Sequence, residues 1–203
     1  VEDMAYHTAT VRRGNQHAFI LTDLPFMSYA TLNDALENSK TIMQAGAHMV
    51  KLEGGAWLAE TVATLTRNGI PVCVHLGLTP QSVHVFGGYK VQARTRETAD
   101  RLIADCKAVV DAGAAILLLE CVPAQVGKEI SELFPQTPVI GIGAGGNVDG
   151  QVLVVADMLG MTDGFRPRFL RRYADLHTVM KGAIGQYVED VKSGDFPNEN
   201  EQY

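Results

Sequence analysis

One alternation of polar and apolar positions recurs along the chain. A mostly polar segment with helical spacing ends at or near a glycine, and an apolar run rich in β-branched residues follows within a few positions. The pattern predicts a strand at 18–22 that ends at Asp23, one that includes Met49, Val50 and Leu52, one up to His75 and one up to Glu120. It predicts a fifth strand within 124–146 and a weaker sixth at 151–160. It predicts helix ends at Gly14, Gly46, Gly69 and Gly113, and a helix start at Thr31 with Asp34.

Strands that alternate with helices at this spacing predict an α/β fold with a parallel sheet. Asp23, Glu53, His75 and Glu120 each stand at the carboxyl end of a successive predicted strand. A doubly wound sheet gathers ligand groups at one switch point, whereas a (β/α)8 TIM barrel delivers every strand end to one shared mouth. Four consecutive strand ends with ionisable groups therefore favour the barrel.

The strand count falls short of a complete barrel. Six predicted strands and 203 residues compare with eight strands and about 250 residues for the typical fold. The chain begins at Val1, without methionine, in a segment that is helical in pattern. We therefore expect the first one or two βα units to be absent from this sequence. Residues 1–192 are expected to form a single barrel domain, and residues 193–203 a polar tail.

Composition narrows the class of partner. The net charge of −6 and the absence of a basic arm argue against nucleic acid. No apolar run approaches the roughly 20 residues of a membrane span, and no signal peptide is visible. Three cysteines in apolar surroundings, Cys73, Cys106 and Cys121, indicate reduced thiols and a cytoplasmic protein.

Lys51 and Glu53 interrupt an otherwise core-like strand with opposite charges. Side chains two positions apart in a strand point to the same face. A purely structural ion pair there is a costly way to stabilise a core, because desolvation offsets the Coulomb attraction. Lys51 is thus a candidate for holding a substrate carboxylate or carbonyl oxygen, or for forming a Schiff base with a keto substrate.

The other strand ends supply further candidates. Asp23, if it does not merely cap the turn before Pro25, is a metal-binding carboxylate together with Glu53, and two carboxylates without a Cys–His motif suit Mg²⁺. His75 is either a satisfied core histidine or a contact for an anionic substrate. Glu120 follows a solidly apolar run, where a carboxylate can act as a general base; the alternative is an exposed strand-end residue.

Two glycine-containing segments have open interpretations. Residues 141–146 ("GIGAGG") match the dinucleotide fingerprint poorly and predict a tight strand exit, where the backbone passes close to a ligand or another strand. Residues 85–96 ("VFGGYKVQARTR") predict either a lid over the mouth or an oligomer contact.

With these residues in place, the sequence resembles the ketopantoate hydroxymethyltransferase family. The matching motifs follow the family's order over nearly the whole chain and are "DLPF" (23–26), "VKLEGG" (50–55), "HLGLTPQS" (75–82), "GGYKVQ" (87–92), "LLECVP" (118–123) and "GIGAG…DGQ" (141–151). The resemblance implies a barrel of the phosphoenolpyruvate mutase/isocitrate lyase type in a homodecamer. It also implies hydroxymethyl transfer from 5,10-methylenetetrahydrofolate, a cosubstrate, to 3-methyl-2-oxobutanoate, which gives 2-dehydropantoate in pantothenate and coenzyme A biosynthesis.

The resemblance also implies roles for single residues. Asp23 and Glu53 would hold one Mg²⁺ per subunit, with Glu53 acting directly or through water. Lys51 and His75, with Asp23, would bind the keto acid, and Glu120 would be the general base. The family's early Gly-Asp-Ser motif, which supplies a further metal carboxylate and a substrate-binding serine, is absent here. As a stand-alone chain the sequence is therefore expected to be inactive.

Three other functions stay open from the sequence. One is a Mg²⁺-dependent C–C lyase of the same superfamily, which acts on an oxo acid without folate. Another is a Schiff-base aldolase that uses Lys51. The last is a non-catalytic barrel that serves only in assembly.

Overall fold

The computed structural model describes residues 1–164 and 166–203, and these form two compact units. The first unit is Val1–Val152 and the second is Leu153–Tyr203. In chain order the first unit contains α1 (Glu2–Gly14), β1 (Leu21–Asp23), α2 (Leu32–Gln44), β2 (Met49–Glu53), α3 (Ala59–Arg67), β3 (Val72–Gly77), α4 (Val83–Phe86), α5 (Arg96–Asp111), β4 (Ile116–Glu120), α6 (Ala124–Leu133), β5 (Val139–Ile142) and β6 (Gly150–Gln151).

The six strands form one parallel sheet, and their order in the sheet is their order in the chain. A doubly wound sheet reverses its strand order at a switch point, and no reversal occurs among these strands. The α/β prediction is confirmed, and the arrangement is that of a half-barrel.

The register of the sheet separates two faces. Asp23 pairs with Lys51, Glu53 with His75, and Gly77 with Glu120, so the charged side chains fall on one face. The alternate positions point to the helices and are fully or almost fully buried in the hydrophobic core; they include Val50, Leu52, Val74, Leu76, Leu117 and Leu119. The apolar face anchors each strand to the helical layer, and the charged face is left for chemistry.

The predicted helix boundaries are mostly confirmed. Asp34 donates its backbone N–H to the Thr31 hydroxyl at 3.1 Å, which makes Thr31 the N-cap of α2. Gly46, Gly69 and Gly113 adopt φ values of +111°, +80° and +105° after their helices. Gly14 differs, because α1 includes it and the chain leaves the helix through an extended Asn15.

The predicted sixth strand is wrong over most of its length. In this part of the chain the sheet pairing with β5 stops at Gly150–Gln151. The apolar residues that follow include a short helix, α7 (Val155–Met158). The physical reason is that a short apolar run has no period by which a strand and a buried helical turn can be told apart. The first strand is also shorter than predicted, since it spans Leu21–Asp23.

The second unit contains α7 and the longer α8 (Leu176–Ser193). Asp175 caps α8 by accepting the Thr178 backbone N–H at 3.4 Å, and it also accepts the Thr178 hydroxyl at 2.8 Å. Gly194 ends the helix with φ +80°. Helix α8 ends at Ser193, at the expected start of the polar tail. The expectation that residues 1–192 form a single domain stays a prediction. Among residues 1–164 and 166–203, no helix combines the length and apolar character that a membrane span requires.

Candidate active site

Lys51 lies at the centre of the charged face of the sheet. Its Nζ is 3.0 Å from Asp23 Oδ2 and 3.4 Å from Glu53 Oε1, and 3.3 Å from His75 Nδ1. Asp23 arrives beside Lys51 through the β1–β2 register, and Glu53 follows two positions later on the same face. One ammonium group thus joins the ends of three neighbouring strands, and the same-face prediction for Lys51 and Glu53 is confirmed.

His75 connects this cluster to Glu120. The Nδ1 atom of His75 is 3.4 Å from Glu53 Oε1, and its Nε2 atom is 3.2 Å from Glu120 Oε2. The second contact is close but poorly aligned, so that buried Nε2 has no hydrogen-bond partner within the described part of the chain. An unpartnered buried nitrogen beside a carboxylate is available to a ligand.

Burial makes the charges in this cluster strongly interdependent. Lys51, Glu53 and His75 expose only 6%, 7% and 4% of their surfaces. Burial alone would raise the pKa of Glu53, but His75, the backbone N–H of Gln81 and Lys51 outweigh it and lower that pKa below its usual value. Burial would likewise lower the pKa of His75, but the carboxylates of Glu120 and Glu53 outweigh it and raise that pKa. Both groups are thereby favoured in their charged forms.

The donor set suits a hard divalent cation. Three carboxylates, Asp23, Glu53 and Glu120, face one lysine and one histidine, so negative charge prevails. Residues 1–164 and 166–203 contain no preformed group of three or more His, Cys, Asp or Glu ligands. Mg²⁺ does not require such a cage, since it retains several waters and uses one or two carboxylates. Asp23 and Glu53 therefore fit Mg²⁺.

Sequence reasoning missed two residues that contact this cluster. Gln81 donates its backbone N–H to Glu53 Oε2 at 2.9 Å, and Tyr29 accepts the Glu53 backbone N–H at 3.2 Å. Gln81 lies in the "HLGLTPQS" motif, and that motif is the signal from which it could have been predicted. Tyr29 stands in a loop between β1 and α2 with no strand-end pattern to mark it.

The two glycine-containing segments lie around the strand ends. A Cβ atom on Gly145 would fall 2.4 Å from Ala124 Cβ, so the tight exit at residues 141–146 passes against the start of α6 rather than against another strand. In the segment 85–96, Gln92 donates its backbone N–H to the Cys121 carbonyl at 2.8 Å. That bond ties the segment to the residue after Glu120; its role as a lid or an oligomer contact stays a prediction.

Two cavities adjoin the cluster without containing its centre. One, of about 410 Å³, follows the ends of β2 and β3 and reaches Trp57 and Asp105. The other, of about 470 Å³, lies between α1 and β1 and reaches Asp23. Neither cavity is lined by Lys51, Glu53, His75 or Glu120, so the candidate site is the side-chain cluster rather than either cavity.

The family model of ketopantoate hydroxymethyltransferase matches residues 1–199. The chain belongs to the ketopantoate hydroxymethyltransferase family. The resemblance drawn from the motifs is thereby confirmed for almost the full length of the sequence.

Individual relatives agree with this family. The chain is 80% identical over 173 residues to the 3-methyl-2-oxobutanoate hydroxymethyltransferase of Acinetobacter baumannii (strain AYE). The aligned residues cover 85% of the chain and 64% of that relative. It is 70% identical over 200 residues to the enzyme of the same name from Acinetobacter baylyi, with 97% and 74% covered. The chain thus spans somewhat less than two thirds of the length of the Acinetobacter baumannii relative.

Solved structures agree on the fold of this ketopantoate hydroxymethyltransferase family member. Phosphonopyruvate hydrolase matches with a TM-score of 0.55 at 10% identity, covering 97% of this chain and 69% of that one. A 2,3-dimethylmalate lyase of the PEP mutase/isocitrate lyase superfamily matches with a TM-score of 0.51 at 16% identity, covering 97% and 68%. These likenesses show the fold alone.

Proposed function

We propose that the protein transfers a hydroxymethyl group from 5,10-methylenetetrahydrofolate to 3-methyl-2-oxobutanoate and forms 2-dehydropantoate for coenzyme A biosynthesis. The observation that carries the proposal is the cluster of Lys51, His75 and Glu120 at adjacent strand ends, in a chain that belongs to the ketopantoate hydroxymethyltransferase family.

The cationic groups of the cluster suit an α-keto acid. The substrate carries a carboxylate and a keto oxygen, both of which accept hydrogen bonds. Lys51 Nζ and the Nε2 of His75, whose only near neighbour among the described residues' carboxylates is the poorly aligned Glu120, are the two donors that face this part of the site. Their positive charge would also stabilise negative charge that develops on the keto oxygen during the reaction.

Glu120 is the general base in this proposal. It accepts the proton at C3 of the keto acid, and the electron pair of the broken C–H bond passes toward the keto oxygen. Water adds to the methylene carbon of the folate, and the C–N bond breaks so that tetrahydrofolate leaves and the carbon becomes a C=O electrophile. The enolate carbon bonds to that carbon, and its oxygen takes the proton held by Glu120 and becomes the hydroxyl. Glu120 is 14% exposed and lies beside His75, so it can reach substrate while remaining shielded from bulk water.

Asp23 and Glu53 are the residues that would hold Mg²⁺ in this site. The chemistry that the cation supplies when bound is electrostatic stabilisation of the enolate charge. When no cation is bound, Lys51 keeps the two carboxylates oriented toward one point, because the Lys51 ammonium group contacts both of them.

The proposal extends to assembly and location. Sequential parallel strands and the structural likeness to superfamily members support an eight-stranded barrel in the protein at its natural length. The homodecamer, the cytoplasmic location and the absence of nucleic acid and membrane partners follow from the family resemblance and the composition. Analytical ultracentrifugation of the natural-length protein tests the decamer directly.

The test is an activity assay with the natural-length protein and 3-methyl-2-oxobutanoate. We expect 2-dehydropantoate to form only when both methylenetetrahydrofolate and Mg²⁺ are present. Cleavage of an oxo acid without folate would instead support the C–C lyase. Absence of any Mg²⁺ or keto acid binding would support the non-catalytic assembly role.

The Schiff-base alternative has its own test. Borohydride would trap a substrate adduct on Lys51 if that residue forms a covalent intermediate. We expect no adduct by mass spectrometry and full inhibition by EDTA. A trapped Lys51 adduct in an EDTA-insensitive enzyme would exclude the metal-dependent mechanism.

A further inference from the structure

Gln81 connects the ends of the two strands that carry the candidate metal carboxylates. Its side-chain Nε2 donates to the carbonyl oxygen of Leu24, the residue directly after Asp23, at 2.9 Å. Its backbone N–H donates to Glu53 Oε2 at 2.9 Å. A single residue from the segment after β3 is therefore hydrogen-bonded to the ends of both β1 and β2.

Tyr29 completes this arrangement from the other side. Its hydroxyl oxygen accepts the Glu53 backbone N–H at 3.2 Å, and its proton is directed to Gln81 Oε1 at 2.6 Å. The hydroxyl also approaches the Glu53 carbonyl at 3.2 Å, but it has one proton, and the shorter contact takes it.

These bonds divide the two oxygens of the Glu53 carboxylate between different tasks. Oε2 is held by the backbone of Gln81, while Oε1 faces Lys51 and His75. The side-chain bonds of Gln81 in turn hold the Gln81 backbone in place, because they link it to Leu24 and Tyr29. The orientation of Glu53 and the position of the chain next to Asp23 thus depend on the same residue.

We propose that Gln81 and Tyr29 are positioning residues, which set the separation and orientation of Asp23 and Glu53 and thereby the affinity of the site for Mg²⁺. The inference rests on the proposed function only in the choice of cation. Groups that orient ligands from behind commonly change metal affinity by about 10- to 100-fold when they are replaced.

The experiment compares Gln81→Met and Tyr29→Phe with the wild type in the natural-length protein. Gln81→Met retains the backbone N–H to Glu53 but loses both side-chain hydrogen bonds, and Tyr29→Phe loses only one hydroxyl. Exposed residues of the same types supply matched controls, Gln186→Met and Tyr6→Phe. The readouts are the Mg²⁺ dissociation constant by titration calorimetry, the Mg²⁺ dependence of kcat, and metal-free crystal structures.

We expect each of the two test variants to bind Mg²⁺ about 10- to 100-fold more weakly. The Mg²⁺ concentration for half-maximal activity should rise, while kcat at saturating Mg²⁺ returns toward the wild-type value. The double variant should lose less affinity than the product of the single losses, because the two residues share one hydrogen bond. A merely structural role would lower the melting temperature and leave the Mg²⁺ midpoint unchanged.

The possible failures are distinguishable. Equal Mg²⁺ binding by the wild type and Gln81→Met would overturn the inference, and so would an unmoved Glu53 carboxylate in the metal-free structure of that variant. If Glu53 moves but the wild type binds no Mg²⁺, the positioning role stands and the Mg²⁺-dependent function fails. If Gln81→Met does not fold, Tyr29→Phe alone decides between these outcomes.

Discussion

The imidazole of His75 places its Nε2 atom 3.2 Å from Glu120 Oε2. The contact joins the ends of β3 and β4. In the sheet Glu120 pairs with Gly77, which lies two residues after His75 on β3. The residue proposed to orient the substrate and the residue proposed to remove a proton are therefore held side by side by strand register.

Glu120→Gln should abolish most of the activity without unfolding the protein. The amide keeps the size of the side chain but cannot accept the C3 proton, and general-base catalysis commonly contributes about 10²- to 10⁴-fold. We expect kcat to fall within that range, with the KM for the keto acid changed little. Steady-state kinetics and a thermal melt measure both effects. Glu132→Gln, at an exposed position on α6, is the control, and wild-type turnover by Glu120→Gln would contradict the base assignment.

The stability of the metal-free protein should fall as the pH rises through the pKa of His75. That pKa is raised in the folded state, so the stabilisation is fully present below the ordinary value of 6.5 and is lost above the folded-state value. Urea unfolding in EDTA, repeated at several pH values, measures it. Relative to His75→Gln, the wild type should lose stability with rising pH. An equal pH dependence in both proteins would contradict the coupling, and His17→Gln provides an exposed control.

The three thiols should differ in reactivity. Burial raises the pKa values of Cys73 and Cys106 to about 12. Burial also raises the pKa of Cys121, but this thiol is only partly buried and therefore accessible to a reagent. Iodoacetamide at about pH 8 should label Cys121 first, and the other two only after denaturation. Peptide mass spectrometry over time gives the three rates. Labelling of Cys106 in the native protein as fast as Cys121 would show that α5 opens far more readily than its burial implies.

Gly145→Ala should destabilise the protein by roughly 1–3 kcal/mol. The new methyl group would lie 2.4 Å from Ala124 Cβ, and φ at this residue is +85°. The neighbouring Gly146 has open space around its Cβ position, so Gly146→Ala should change stability far less. Urea denaturation of the pair measures the difference, and equal midpoints would refute the close approach.

The site residues at strand ends could be predicted because parallel strands with buried faces have a strong local pattern. Asp23, Glu53, His75 and Glu120 each follow an apolar run, and the fold brings all four into one cluster. The last strand of the sheet was harder to predict from the sequence. The apolar run after Gln151 forms a helix, because a run of that length has no period that separates the two structures.

The sequence by itself determined the helix and strand alternation, the capping residues and the charged ends of the strands, since each depends on neighbours within a few positions. Only the tertiary structure decided which side chains meet. Gln81 contacts Glu53 across 28 positions and Tyr29 across 52, and the packing of the loops that follow the neighbouring strands, not a local pattern, brings them together. The same register turns Lys51 and Glu53, a costly pair in a simple core strand, into neighbours of Asp23 and His75 at a site for chemistry.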